Sequence, residues 1–323
     1  MASQSRLRTA IDDGLLTLPD GAICVMRPPT TYDISALGRP AHIAHSLFTD
    51  AAAWEAAGYD VSADIGDAKT VIVVVPRSKA LARSMVAEAC AHADLVIVDG
   101  YKTDGVDSLF KNCRKVLGDL PSVPKDHGRL FWFAATSDFA DWKAPPPALG
   151  AHGYYTSAGV FSENAVDKGS ALLAASLPVK LPPRLADFGA GWGYLSKAVL
   201  TRENIKSIDL IEAEALSLDC ARLNVTDPRA NFIWGYATQH RPEKGYDGII
   251  MNPPFHTSRD AQPAIGQAFI AGAAKALASH GKLWMVANRH LPYEAHLRDH
   301  FRNVEELPGN GAFKIFHATR PQR

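Results

Sequence analysis

The second half of the chain alternates short apolar runs with helix-forming segments, and this alternation constrains the fold more than any other feature. The runs predicted as strands are 184–189, 207–212, 231–234, 246–251, 282–288 and 312–319. Helices are predicted at 193–201, 214–224 and 262–279, the last of them ended by His280 and Gly281. Strands that alternate with helices of this length are typical of a doubly wound, mostly parallel α/β sheet.

The first half of the chain shows the same α/β character with fewer signals. Apolar runs predict strands at 70–75, 94–99 and 130–134, and a helix is predicted over 78–93. Since no glycine-rich turn follows these strands, this half is expected to serve as a scaffold or docking surface. Three consecutive prolines in segment 144–150 favour a stiff linker. We therefore expect two domains, 1–145 and 150–323.

Charge and cysteine content exclude several classes of protein. Lys plus Arg and Asp plus Glu both total 34, so a strongly basic protein wrapped in nucleic acid is excluded, although a local basic surface is not. The four cysteines lie far apart and form no CxxC pair, so neither a zinc site nor a disulfide framework is predicted.

The N-terminal segment lacks the apolar core of a signal peptide, and the longest aliphatic run, 71–75, is too short to span a bilayer. We expect a cytoplasmic protein without a membrane segment.

A glycine-rich turn joins the strand at 184–189 to the helix that follows it. Asp187, Gly189 and Gly191 belong to this turn, whose glycines let a ligand approach the backbone closely. The spacing is GxGxG, because Tyr194 stands where the dinucleotide motif needs its last glycine. Glu212 closes the next strand, 23 residues after Gly189, where an acid can accept hydrogen bonds from ribose hydroxyls. The pattern predicts a nucleoside-containing cofactor; the alternative is a plain turn with a solvated acid.

The segment Asn252, Pro253, Pro254 and Phe255 follows the strand at 246–251. The prolines remove two N–H donors and stiffen the backbone, so the Asn252 side-chain oxygen and the Pro253 carbonyl can face one place as acceptors. Two acceptors that hold the hydrogens of a planar –NH2 group favour pyramidalisation and direct its lone pair. Phe255 offers a ring face on which a flat substrate can stack. The alternative is a stiff loop with a core aromatic.

These motifs together resemble the class I S-adenosylmethionine-dependent methyltransferases that act on planar amino groups. The resemblance narrows to the bacterial small-subunit ribosomal RNA guanine-N2 methyltransferases, which have two tandem methyltransferase-like domains. It rests on the turn, Glu212 and 252–255, and on the following segments: 159–162 with Asp167, 169–170, 252–256, 286–288, 291–294 and 312–319. It covers residues 150–323 well, whereas the first half matches only as a degenerate domain, best at 94–108. The resemblance implies a doubly wound Rossmann-like methyltransferase sheet, C-terminal, preceded by a degenerate α/β domain of similar type.

The resemblance also implies a cofactor and a set of site residues. S-adenosyl-L-methionine would lie across the carboxyl ends of the strands, and no metal is needed. The implied cofactor-binding residues are Phe161, Asp167, Asp187, Gly189, Gly191, Glu212, Ala213, Ala237 and Asn252. The implied catalytic residues are Asn252, Pro253, Pro254 and Phe255. One departure is that no acid follows the third strand at 234–237, so the adenine contact there would come from the backbone or be absent.

The implied activity is methyl transfer to the exocyclic N2 amine of a guanine in ribosomal RNA, with 16S RNA the expected molecule. Ribosomal RNA or the small ribosomal subunit would be the partner; the modified nucleotide, the state of the RNA and the oligomeric state stay open. One alternative is the same chemistry on a glutamine amide or an adenine N6. Another is a non-catalytic RNA-binding assembly factor. A nicotinamide oxidoreductase is disfavoured, because Tyr194 breaks the loop spacing and segment 252–255 has no role there. Arg289, His290 and Lys314 are candidates for RNA contacts near the mouth of the site.

His256 is the obvious candidate for a general base, but we expect it to shape the loop instead. His256→Ala should keep measurable methyl transfer, whereas Asn252→Ala should lose most of it because the substrate amine loses an acceptor. Single-turnover assays of the two variants test this difference. Equal losses would overturn the assignment.

Overall fold

The computed structural model describes residues 5–254 and 263–322, and the chain divides into two compact units, Met1–Pro146 and Pro147–Arg323. The division falls within the proline-rich segment 144–150. Prolines lack the backbone donor that a helix or central strand requires, so the chain runs here without continuing an element of either unit.

The first unit is built on a seven-stranded sheet. Its strands are β1 (Ile23–Met26), β2 (His42–Ala44), β3 (Asp60–Ser62), β4 (Thr70–Val74), β5 (Leu95–Tyr101), β6 (Ser122–Lys125) and β7 (Gly128–Ala134). Its helices are α1 (Arg6–Asp12), α2 (Phe48–Ala56), α3 (Lys79–His92) and α4 (Val106–Leu117). The strand order is β3-β2-β1-β4-β5-β7-β6, parallel from β3 to β5 and antiparallel thereafter.

The second unit repeats this topology. Its strands are β8 (Ala148–Leu149), β9 (Tyr155–Thr156), β10 (Arg184–Phe188), β11 (Ser207–Glu212), β12 (Ala230–Trp234), β13 (Tyr246–Met251), β14 (Leu277–Asn288), β15 (Phe301–Leu307) and β16 (Phe313–Pro321). Its helices are α5 (Lys168–Ser176), α6 (Tyr194–Leu200), α7 (Ala215–Asn224), α8 (Pro263–Ala276) and α9 (Glu294–His300). The main sheet has the order β12-β11-β10-β13-β14-β16-β15, and β8 pairs with β9 separately. No helix in the described parts of the chain is both long and apolar enough to cross a membrane.

The centre of the second sheet is buried on both faces, as the apolar runs predict. Phe188 and Met251 pack with Phe269 of α8 on one face. Leu185 and Ile250 pack with α5, α6 and α7 on the other. Phe188 of β10 is paired with Met251 of β13, so both strands end at the same level of the sheet. The chain segments that follow these two strands, the glycine turn and Asn252, therefore emerge side by side.

The position of β10 in the strand order determines where a ligand can bind. β11 and β12 lie on one side of β10, while β13, β14, β16 and β15 lie on the other. The order reverses at β10, and ligands of open α/β sheets bind at the carboxyl ends of the strands beside such a reversal. The predicted doubly wound sheet is therefore confirmed, and its reversal point lies next to the predicted site residues.

The predicted helix over 262–279 is wrong at its end. Helix α8 ends at Ala276, and Leu277 already belongs to β14, where it pairs with Tyr246. The register shifts before Gly248 pairs with Lys282, so His280 and Gly281 lie in an irregular part of a strand rather than in a loop. A Cβ at Gly281 would lie 2.9 Å from the carbonyl oxygen of Tyr246, which explains the glycine. The alanine-rich run gave no signal of this boundary.

At the carboxyl edge of the first sheet, buried side chains of the protein pair with one another beside a cavity of about 600 Å³. Arg6 of α1 is 7% exposed, and its Nε donates to Asp99 Oδ1 at 2.6 Å. The Tyr32 hydroxyl donates to the other oxygen of Asp99 at 3.0 Å, and the ring of Tyr101 lies 4.6 Å from the guanidinium carbon. A buried carboxylate with these partners is satisfied within the fold.

Candidate functional site

The glycine turn after β10 depends on backbone conformations that other residues rarely adopt. Gly189, Gly191 and Gly193 have φ angles of +74°, +54° and +88°. The N–H of Gly189 donates to the carbonyl oxygen of Ile211 at 2.9 Å, which ties the turn to the end of β11. A Cβ at Gly193 would lie 2.9 Å from Val225, so this glycine also permits close packing. The turn is thus held at a fixed height above the sheet.

Glu212 is bound to this turn. Its Oε2 accepts the N–H of Gly191 at 2.7 Å, and its Oε1 accepts the N–H of Glu214 at 2.9 Å. Burial raises the pKa of Glu212, while these backbone N–H groups act in the opposite direction. A carboxylate has about four acceptor positions, so each oxygen keeps capacity for a further donor such as a ribose hydroxyl. The carboxylate is therefore oriented before any ligand binds.

Asn252 is oriented by two hydrogen bonds from its amide nitrogen. Nδ2 donates to Asp167 Oδ1 at 2.8 Å and to Ser170 Oγ at 2.9 Å. An ionised carboxylate only accepts, so Asp167 requires the nitrogen side of the amide to face it. The carbonyl oxygen of Asn252 consequently points away from Asp167, and no residue in the described ranges donates to it. Among the described residues, this oxygen therefore keeps its acceptor capacity.

Asp167 and Ser170 owe their positions to the start of α5. Asp167 is the N-cap residue, and its Oδ1 accepts the N–H of Ser170 at 2.8 Å. Such caps satisfy a backbone donor that the helix itself leaves unpaired. One carboxylate oxygen therefore fixes both the beginning of the helix and the orientation of Asn252.

A small cavity of about 50 Å³ lies between the glycine turn, segment 161–170 and Asn252. It is lined by Phe161, Ser162, Asp167, Ser170, Gly189, Ala190, Gly191, Trp192, Tyr194, Leu195 and Asn252. The structure thus brings together five of the residues predicted for the site. Phe161 is 58% exposed beside it, although most phenylalanines of this chain are buried. An exposed aromatic ring next to a polar cavity suits a planar ligand.

Other predicted residues lie around this cavity without lining it. Asp187 is fully buried beneath the turn, and its Oδ2 accepts the hydroxyl of Ser196 at 2.7 Å. Its Oδ1 has no hydrogen-bond partner among residues 5–254 and 263–322. Ala213 accepts the Trp234 indole N–H at 2.9 Å beside Glu212, whereas Ala237 is 2% exposed and packs in the core. Phe255 and His256 lie outside the described residues.

Sequence reasoning assigned no role to several residues that build the site. The Trp192 indole donates to the carbonyl oxygen of Phe161 at 2.9 Å, and its ring packs against His152, Tyr154 and Tyr194. This contact holds segment 154–163 against the glycine turn. Ser170 was part of a matched segment but had no assigned role. An acid three residues before it, followed by the helix-forming run 168–176, is the N-cap signal that would have indicated it.

The expectation that Lys314 contacts RNA is wrong. Lys314 is 6% exposed, and its ammonium donates to the carbonyl oxygen of Leu291 at 3.0 Å and pairs with Glu294. It points inward from β16 and holds the segment that follows β14. Arg289 is exposed but bonded to Asn310, Phe313 and Glu306, while His290 is exposed. β16 is covered on both faces here, since Ile315 and Phe316 are buried as well, so neither face would leave a lysine at this position in solvent.

The chain is similar to known methyltransferases. The methyltransferase small domain family model matches residues 152–317. A Shewanella sp. (strain MR-4) protein named ribosomal RNA small subunit methyltransferase C is 33% identical over 266 residues, covering 76% of this chain and 76% of that protein. A protein of the same name from Hahella chejuensis is 31% identical over 250 residues, covering 73% and 72% of the two chains.

A solved structure resembles the whole chain. The T. thermophilus 16S rRNA N2 G1207 methyltransferase (RsmC), in complex with AdoMet and guanosine, aligns with a TM-score of 0.79. The alignment covers 98% of this chain and 91% of that one, at 21% identity. The likeness establishes the α/β fold of both units, including the first, whose sequence carries few signals of it.

Asp187 makes the stability of the second unit depend on pH. Burial, with the neighbouring Glu212 carboxylate adding to it, raises the pKa of Asp187 to about 7, against the opposing bond from Ser196. In the unfolded chain an aspartate titrates near pH 4, so between about pH 4 and 7 the folded state binds more protons. Stability should therefore fall by a few kcal/mol as the pH rises from about 4 to 7, and fall no further once Asp187 is ionised.

Calorimetric unfolding of the ligand-free chain at several pH values between 5 and 8 measures this effect. Asp187→Asn should gain melting temperature relative to the unsubstituted chain as the pH rises. The exposed Asp219→Asn serves as the control and should track the unsubstituted chain. A constant difference between Asp187→Asn and the unsubstituted chain across the range would contradict the role given to Asp187.

Proposed function

The chain belongs to the methyltransferase small domain family, and from this premise we propose that it transfers a methyl group from S-adenosylmethionine to the N2 amine of a guanine in small-subunit ribosomal RNA. The observation that carries the proposal is the Asn252 amide, whose nitrogen is bound to Asp167 and Ser170 while its oxygen is left as an acceptor. The names of the two relatives support ribosomal RNA as the acceptor. Such an enzyme would work in the cytoplasm.

The residues around the glycine turn fit the cofactor. Its ribose hydroxyls would donate to Glu212, and the backbone at Gly189 and Gly191 is open to close approach. Phe161 and segment 162–167 would cover the same pocket, while Asp187 would support the turn from below and Ala213 and Ala237 would shape the adenine end. When bound, the cofactor supplies a methyl group on a sulfonium, which is already a good leaving group. The protein's contribution is therefore mainly orientation and exclusion of water.

Asn252 and the backbone after it would orient the target amine. The guanine N2 group is planar because its lone pair is delocalised into the ring. Hydrogen bonds from its two N–H groups to the Asn252 side-chain oxygen and the Pro253 carbonyl would favour the pyramidal form and direct the lone pair. Pro254 keeps this backbone stiff and offers no competing donor. Phe255 would stack on the base, and after transfer the proton would leave to water.

We further propose that only the second unit holds the cofactor. In the first unit, Arg27, Pro28 and Pro29 follow β1 where glycines follow β10. The buried Arg6–Asp99 pair lies at the carboxyl edge of that sheet. Calorimetry with S-adenosylhomocysteine is expected to give one site per chain.

The activity is tested by offering a labelled methyl donor to small ribosomal subunits, free 16S RNA, DNA and a release factor. The label is expected in RNA only, on a single guanine that mass spectrometry identifies as the N2-methylated base. The Asn252→Ala variant is the control for a contaminating activity. Label in the release factor or in adenine would favour the rival acceptors. Cofactor binding without transfer to any acceptor would favour an assembly factor.

Asp167 is expected to act mainly through Asn252. In Asp167→Ala the amide of Asn252 loses the partner that fixes its orientation, so kcat should fall by about 100-fold, as misplaced reacting groups typically cause. The cofactor Kd should rise by a smaller factor than kcat falls, because Asp167 also lines the cofactor pocket. Single-turnover kinetics and calorimetry separate the two effects, with the exposed Asp219→Ala as a control. A large rise in cofactor Kd at unchanged kcat would make Asp167 a cofactor contact instead.

A further inference from the structure

The second unit has a larger concavity at the opposite edge of its sheet, where the strands begin. This amino-edge groove, of about 750 Å³, has a floor of Pro178, Leu181, Pro182 and Trp284 and a rim that includes Lys180 and Lys282. β10 has five residues, so the groove lies roughly 17 Å from the carboxyl edge along that strand. It takes no part in the site described above.

The polar groups of the groove are incompletely satisfied by the protein. Lys180 and Lys282 are exposed, and within the described ranges neither ammonium group has an ion-pair or hydrogen-bond partner. His317 stacks on Trp284 with a centroid separation of 5.1 Å, and its Nε2 is buried with no partner among described residues.

Asp247 lines the groove and Glu305 lies beside it, and each carboxylate has a partner within the protein. Asp247 lies 3.0 Å from His280 Nε2 and accepts the N–H of Arg184 at 3.2 Å. Glu305 lies 3.9 Å from His317 Nδ1. The two lysines therefore face solvent above an apolar floor, whereas the buried His317 Nε2 is not open to a ligand in the groove.

We propose that the amino-edge groove binds a stretch of the substrate RNA away from the target guanine, an inference that rests on the proposed function. Phosphates would pair with Lys180 and Lys282, while bases or sugars would lie on the apolar floor. Paired cations beside an apolar floor match a chain of alternating phosphates and flat bases. Ribosomal RNA is large enough to reach both edges of the sheet. The groove would add affinity and leave the chemistry unchanged.

Charge reversal tests this proposal without disturbing the core, because both lysines are exposed. The double variant Lys180→Glu, Lys282→Glu is compared with Lys206→Glu, Lys275→Glu, two exposed lysines of the same unit outside the groove. Filter binding to a 16S RNA transcript between 50 and 200 mM salt gives the affinity and its salt dependence. The groove variant should bind about tenfold more weakly at low salt. Its slope of log affinity against log salt should be smaller by about 1.4 to 1.8, as two lost phosphate contacts require.

Further readouts separate RNA contact from other effects. Cofactor affinity and single-turnover transfer at saturating RNA should stay unchanged in the groove variant, and Lys180→Arg, Lys282→Arg should restore binding. Affinity and slope equal to those of the control pair would overturn the proposal. So would normal binding to the transcript with weaker binding to small subunits only, because the groove would then face a protein. If the unsubstituted chain binds the transcript but transfers no methyl group, the proposed function fails. The comparison of the groove variant with the control variant then still shows whether the groove binds RNA.

Discussion

The pair of hydrogen bonds from the Asn252 amide to Asp167 and Ser170 is the interaction on which the arrangement of this site depends. It joins the segment after β13 to the start of α5, and it decides which atom of Asn252 faces outward. The register between β10 and β13 brings the glycine turn to the same edge. A positioned acceptor beside a turn that a nucleoside ligand can approach is the combination that methyl transfer to a planar amine requires.

The two units share one strand order, but the carboxyl edges of their sheets carry different polar groups. At the carboxyl edge of the first sheet, Arg6, Asp99 and Tyr32 satisfy one another, although a cavity of about 600 Å³ lies beside them. At the carboxyl edge of the second, the oxygens of Asn252 and Glu212 retain acceptor capacity, and Asp187 Oδ1 is buried without a partner in the described residues. The two edges therefore differ in the polar groups that they leave for a ligand.

Much of the second unit could be predicted from sequence, because strands buried on both faces leave unbroken apolar runs such as 184–189 and 246–251. The glycine turn and Asn252 can be picked out from sequence for another reason, because their residue types are distinctive. The end of α8 was missed because alanine and leucine suit both a helix and a buried strand. The burial of Lys314 and the role of Ser170 depend on partners distant in sequence, Leu291, Glu294 and Asn252, which local patterns do not reveal. The strands β1, β2 and β3 were not predicted, because runs of three or four residues are too short to show a strand pattern.

We expect the Asn252 carbonyl oxygen to receive the amine of the target guanine beside the bound cofactor. A crystal structure of this chain with S-adenosylhomocysteine and guanosine would give the distance between Asn252 Oδ1 and guanine N2. We expect this distance to be about 3 Å, with Nδ2 still bound to Asp167 and the guanine amine pointing at the cofactor sulfur. An Asn252 amide turned toward the solvent, or a guanosine bound at another edge of the sheet, would contradict it.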